Sequence, residues 1–200
     1  MAKKTGFFLD QADNVKRAVE RFLPKLKKNP KLLDLCSYVG QWGTQFAQAL
    51  PSIQLTALDS SASALEFAKR NAAAQGVECE TIRGDALECL GSLPEKSFDC
   101  VICDPPALIK SRKNIPAGVH AYLQLNTQAV RLLKDGGCLV SSSCSALMEE
   151  EKFAATLAKA AWRNQRKIRW VGRGSQAPDH PILAEFPEGM YLKTYFGVLD

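Results

Sequence analysis

The sequence predicts an α/β fold in which a mostly parallel, seven-stranded sheet carries helices on both faces. Three observations predict it. From Lys31 onward, short apolar runs alternate with helical patterns. A glycine-bearing turn follows the first of these runs, and acidic residues close or follow several of them.

The first run, Lys31 to Cys36, leads through its turn into a helix ending near Leu50. Ile53 to Asp59 is the second strand. Ser60, Ser61 and Ser63 with Glu66 offer N-cap and capping-box chemistry for a helix that reaches Gln75, where Gly76 supplies the stop. Val77 to Gly84 and Phe98 to Cys103 are the third and fourth strands. After Asp104-Pro105-Pro106, a loop bearing Lys110, Arg112 and Lys113 precedes a helix from about Val119 to Leu133. Asp135-Gly136-Gly137 then turns tightly into the strand Cys138 to Ser143. Ser145 is placed to cap a helix starting near Ala146, whose first turn carries Glu149, Glu150 and Glu151. Strands near Ile168 to Val171 and Met190 to Leu199 complete the sheet.

The 200 residues, 46% of them hydrophobic, suffice for one domain: residues 1–30 as an N-terminal segment and helix, 31–200 as the sheet core. An amphipathic helix is expected from Asp13 to Leu23. Lys4 to Gln11 opens abruptly in a motif-like stretch, which predicts one domain of a longer protein. No apolar run is long enough for a membrane span and no secretion pattern opens the chain, so a soluble, cytoplasmic protein is expected. Seven cysteines, an odd number at irregular spacing, read as thiols in a reducing compartment. Cys100 and Cys103 spell CxxC, but three residues apart on a strand they face opposite sides. With His120 and His180 at no ligand spacing, no metal is expected. The net charge of +5 gathers at Lys25, Lys27, Lys28 and Lys31, and at Arg163, Arg166, Lys167, Arg169 and Arg173. Such clusters suit a polyanion such as RNA, or are solvated helix ends.

A glycine turn after strand one with an acid ending strand two marks a nucleotide-type ligand across the carboxyl edge of the sheet. A dinucleotide fingerprint would place glycine where Tyr38 stands, the position that makes the tight turn. S-adenosylmethionine has no pyrophosphate to seat there and tolerates that bulk better. Asp34 to Gly40 then follows a methyl-donor frame with two of its glycines replaced. Asp59 can accept from both ribose hydroxyls, and Asp85 from the adenine amino group or merely from a helix end. The candidate cofactor residues along the sheet edge are Asp34, Ser37, Tyr38, Gly40, Asp59, Ser60, Asp85, Ala86, Asp104 and Pro105.

Two candidates carry the chemistry. Asp104 stands on a backbone stiffened by two prolines, where a base would be held against the donor methyl. Enzymes that methylate exocyclic amines commonly place an aromatic after the prolines; here Ala107 and Leu108 follow. Cys144 ends strand five beside Asp104. Carbon 5 of a pyrimidine is a weak nucleophile until a thiolate adds at carbon 6, and the helix expected just after Cys144 would favour that thiolate through its dipole. The alternative for Cys144 is a small filler.

Lys4 to Gln11, Ser37 to Gly40, Asp104-Pro105-Pro106, Ser143-Cys144-Ser145, Asp179-His180-Pro181 and Pro187 to Lys193 jointly resemble the bacterial large-subunit ribosomal RNA cytosine-5 methyltransferases. The resemblance implies a Rossmann-like class I methyltransferase domain, S-adenosyl-L-methionine as cofactor and ribosomal RNA as partner. It implies that Phe8 to Gln11 closes over the cofactor, with Phe8 and Gln11 in contact with it, and that Cys144 is the nucleophile. Full-length members carry a PUA-type RNA-binding module, of which these residues include none. Another class of RNA cytosine-5 methyltransferases has a second cysteine where this chain has Ala107, so a different group must accept the carbon-5 proton; His180 and Glu188 are candidates. The rivals are a guanine-nitrogen methyltransferase using Asp104 without a thiol, a non-catalytic RNA-binding or scaffold domain of the same fold, and, distantly, a dehydrogenase. A homodimer and a monomer are both left open.

Overall fold

The computed structural model describes residues 6–200. Lys4 and Thr5, the start of the N-terminal motif, lie outside the described residues. After a 3-10 turn at Leu9–Gln11 come α1 (Ala12–Phe22), β1 (Lys31–Leu35), α2 (Gln41–Ala49), β2 (Gln54–Asp59), α3 (Ala62–Ala73), β3 (Cys79–Arg83), a short α4 (Ala86–Cys89) and β4 (Phe98–Cys103). The second half contains α5 (Ile115–Leu132), β5 (Leu133–Ser143), α6 (Glu150–Arg163), β6 (Ile168–Gly174) and β7 (Lys193–Leu199).

The seven strands form one sheet in the order β3-β2-β1-β4-β5-β7-β6. β1 to β5 are mutually parallel, and β7 runs antiparallel to both its neighbours. The chain walks outward from β1 to β3 and then returns to the other side of β1 with β4. That switch opens a crevice beyond the carboxyl ends of β1 and β4, the place where such sheets bind ligands. The reversed β7 brings its first residue, Lys193, to the same edge: Ser143 and Lys193 are register partners.

Strand alternation builds a core on each face. Leu32, Cys100, Ile102 and Val140 meet Val15, Phe22, Phe46 and Leu65 from the first three helices. Leu33, Leu35, Val101, Cys103 and Leu139 meet Leu125, Ala129 and Val130 of α5. Cys100 and Cys103 thus lie in different cores, as strand geometry requires, and both are unbridged. The buried serines of β5 follow the same alternation. Ser141 Oγ donates to Asn126 Oδ1 and Ser143 Oγ to Tyr122 OH, both on α5, whereas Ser142 Oγ pairs with Thr194 Oγ1 at 2.9 Å.

Several boundaries differ from the sequence expectation, each for a physical reason. The helix α5 starts at Ile115, because Pro116 is compatible with a first helical turn. β5 starts at Leu133, and Asp135-Gly136-Gly137 is an excursion inside it: β4 advances from Phe98 to Cys100 while β5 advances from Leu133 to Cys138. The largest correction concerns α6, which begins at Glu150 and not near Ala146. Ser145 cannot cap it, since its hydroxyl accepts from the Ile109 N–H and pairs with Tyr122 OH. The late basic cluster is also partly structural. Arg166 donates to the carbonyls of Val130, Leu133 and Lys134, Arg169 pairs with Asp200, and Arg173 pairs with Glu150. No helix of the described residues is long and apolar enough to cross a membrane.

Candidate active site

The crevice is a cavity of about 640 Å³, within the range of small-molecule sites. One wall is the turn between β1 and α2. Ser37 N–H donates to Leu58 O, and Gly40 N–H closes the turn on Ser37 O. Cys36, Tyr38 and Gly40 all adopt left-handed backbone, with φ of 57°, 50° and 77°. At Gly40 that conformation is unstrained, and a Cβ there would sit 2.9 Å from that of Ala68. Asp59 holds the turn from below: Oδ2 accepts from Tyr38 N–H and Oδ1 from Ser61 N–H, both at 2.8 Å. Each oxygen keeps a second lone pair at the cavity edge. Asp85 also lines the cavity, and its Oδ1 caps α4 by accepting from Leu87 N–H.

Two candidates from the turn stand elsewhere. Asp34 and Gly40 lie behind the wall. Asp34 is fully buried, accepts from Gly43 N–H at 3.1 Å, and is pushed up to about 8 by burial, against the opposing hydrogen bond. Phe8, Gln11, Ser37, Tyr38, Asp59, Ser60, Asp85, Ala86, Asp104, Pro105 and Cys144 all line the one cavity.

The N-terminal segment forms the roof. Phe8 N–H donates to Gln41 Oε1 at 2.7 Å while Gln41 Nε2 donates to Phe8 O at 2.9 Å. Phe8 also packs on Tyr38, ring centroids 5.5 Å apart. Gln11 reaches inward, its Nε2 donating to Asp104 Oδ1 while its Oε1 accepts from Asn14. Asp104 Oδ2 accepts from Trp42 Nε1 at 2.8 Å. Burial still pushes Asp104 up to about 6, outweighing those two hydrogen bonds.

Gln41 and Trp42 escaped the sequence reading. Two residues opening an amphipathic helix give no sign that their polar atoms turn toward a ligand edge; the only signal is a tryptophan directly after the glycine turn.

Cys144 forms part of the floor, half-buried, with Sγ 3.9 Å from Pro105 O. Its two serine neighbours are buried and tied through Tyr122 OH, which fixes the loop that carries the thiol. The dipole expected to act on Cys144 is absent from its surroundings, because α6 begins six residues later and the effect fades within a turn. A second thiol, Cys36, also lines the cavity. Burial and the carboxylates of Asp59, Asp104, Asp34 and Asp85 push it up to about 12, so it stays protonated. His180 and Glu188 are exposed and off the cavity wall. Among the described residues no cluster could hold a metal ion.

Residues 2–168 match the family described as methyltransferase small domain. The chain belongs to that family. The methyltransferase domain is 36% identical over 195 residues to ribosomal RNA large subunit methyltransferase I of Pseudoalteromonas atlantica, covering 95% of this chain and 48% of that one. It thus spans about half the length of the curated relatives it matches. A solved structure from Streptococcus mutans, assigned to the SAM-dependent methyltransferases, superposes with a TM-score of 0.79 at 18% identity, over 98% of this chain and 50% of that chain. SMU.776, assigned as a methyltransferase and crystallised with S-adenosylhomocysteine, gives 0.77 at 18% identity, over 97% and 50%. The fold is therefore the Rossmann-like one of S-adenosylmethionine-dependent methyltransferases.

The residues present fit that donor. Ser37 Oγ is buried on the cavity wall with no hydrogen-bond partner among the described residues, a polar atom that a ligand would satisfy. Asp59 offers acceptors to a diol, and the prolines and Leu125 give the remaining wall an apolar character.

Proposed function

We propose that the protein is an S-adenosylmethionine-dependent RNA methyltransferase that forms 5-methylcytosine in large-subunit ribosomal RNA through a covalent adduct at Cys144. The observation that carries this reading is that Cys144 and Asp104, from adjacent strand ends, line the same cavity, with the thiol against the Pro105 carbonyl.

The donor supplies an electrophilic methyl group. Ser37, Asp59 and Asp85 bind its polar parts, and the Phe8–Gln41 pair keeps water from the roof side. Asp104, held rigid by Gln11 and Trp42, accepts from the amino group of the cytosine and fixes the base. The Cys144 thiolate adds at carbon 6, which makes carbon 5 nucleophilic toward the methyl. Loss of the carbon-5 proton to a base then returns the C–S electron pair to sulfur. The charge supports an RNA partner, and Lys110, Arg112 and Lys113 stand exposed on the loop that continues the Pro105-Pro106 wall. The name of the relative from Pseudoalteromonas atlantica supports ribosomal RNA.

Nucleoside mass spectrometry of ribosomal RNA treated with the protein and with Cys144→Ala tests this. The expected product is 5-methylcytosine, lost in the variant. A methylated guanine formed equally well by Cys144→Ala would establish the guanine-nitrogen alternative. Absence of calorimetric heat with S-adenosylhomocysteine would point instead to a non-catalytic domain.

A further inference from the structure

The helix that was expected to activate Cys144 starts too far away, yet a lysine is bound by the residue that follows the thiol. Lys193 is the first residue of β7 and the register partner of Ser143. It is only 7% exposed, and its Nζ donates to the carbonyl of Ser145 at 2.8 Å. The ammonium is thus held by the residue on one side of Cys144, with its backbone opposite the residue on the other. Among the described residues its one hydrogen-bond acceptor is neutral, and a buried ammonium so placed calls for an anion. Glu150 also faces Lys193, but Arg173 and Tyr195 OH share its Oε1.

We propose that Lys193 is the counter-ion of a Cys144 thiolate. The proposal deepens the carbon-5 reading and rests on it for the use of the thiolate, though the ion pair can be measured without RNA. In the resting site the Sγ proton goes to solvent, leaving a thiolate beside the Lys193 ammonium. As sulfur bonds to carbon 6 its charge moves onto the base. When the C–S bond breaks, the electron pair returns to sulfur and meets the same ammonium. Lys193 keeps its proton throughout, so the carbon-5 proton goes to another acceptor. Among the described residues, Tyr191, ahead of β7, Tyr122 of α5 and the Pro105 carbonyl also face Cys144, and Asp104 lines the same cavity. Burial raises both tyrosines, so among these described groups the cation is Lys193. Burial lowers the Lys193 ammonium while Cys144 and Glu150 raise it, the reciprocal side of the same pairing.

The test is iodoacetamide alkylation of Cys144 against pH, read on the Cys144 peptide by mass spectrometry so that other thiols do not contribute. Lys193→Met is expected to raise the alkylation midpoint by about one to three pH units, with Lys193→Arg holding it near the wild-type value. An unchanged midpoint in folded Lys193→Met overturns the proposal. Should that variant fail to fold, the Lys193 amine is titrated by NMR in the wild type and in Cys144→Ala. Loss of the thiol is expected to lower the amine's midpoint, and no change overturns the pairing. If the pairing is seen while Cys144→Ala still methylates RNA, the carbon-5 reading falls and the ion pair stands.

Discussion

Gln41 and Phe8 exchange two hydrogen bonds, one in each direction, between a side-chain amide at the start of α2 and the main chain of the N-terminal segment. The N-terminal segment is thus tied to the first residue of α2, directly after the turn that walls the cavity.

Gln41→Ala removes both bonds. Each is worth about 0.5 to 1.5 kcal/mol net, so S-adenosylhomocysteine affinity should fall by roughly tenfold while the melting temperature changes little. Titration calorimetry checks this, and unchanged affinity would show that the roof does not contribute to binding.

Burial pushes Asp104 up to about 6, and the role proposed for it requires the carboxylate. Methyl transfer should therefore decline as pH falls through about 6. Trp42→Phe deletes the Nε1 donor that lowers Asp104. The acid limb of kcat/KM should move to higher pH by about one unit. A limb that stays in place would show that another group sets it.

Tyr122→Phe leaves the Ser143 and Ser145 hydroxyls without their shared partner. A loss of about 1 to 3 kcal/mol in stability is expected, with a lower transfer rate at unchanged S-adenosylhomocysteine affinity. Chemical denaturation and single-turnover kinetics measure the two effects separately.

Asp34 has its folded pKa raised to about 8, far above its unfolded value. For an acid shifted upward, the folded state binds more protons than the unfolded chain between the two values. Stability therefore falls as pH rises from about 4 to about 8, by at most roughly 1.4 kcal/mol per pH unit. Asp34→Asn keeps an acceptor for Gly43 N–H and removes the titration, so its melting temperature should fall less between pH 5 and 8. Parallel curves for the two proteins would contradict the assignment.

The sheet was legible because parallel strands buried on both faces leave short, acid-terminated apolar runs, and Asp59, Asp85 and Asp104 mark their ends. The environment of Cys144 was not. Ser145 looks like a helix cap in a linear reading, and only the packed structure shows Ile109 and Tyr122 using its hydroxyl. Lys193 belonged to a recognised stretch, yet its place beside Cys144 follows from the reversal of β7, a pairing that neither segment encodes alone. Trp42 was hidden for a similar reason: its ring packs in a core while its single N–H reaches Asp104.

The reversal of β7 also sets an order in time. The donor wall, from Ser37 to Pro106, lies entirely within the first four strands and the segment after them, so a growing chain has it early. Lys193 reaches Ser145 across a sequence separation of 48 residues. The residues of the donor wall are thus made before Lys193, and the proposed counter-ion of Cys144 is delivered by a strand that the ribosome finishes much later.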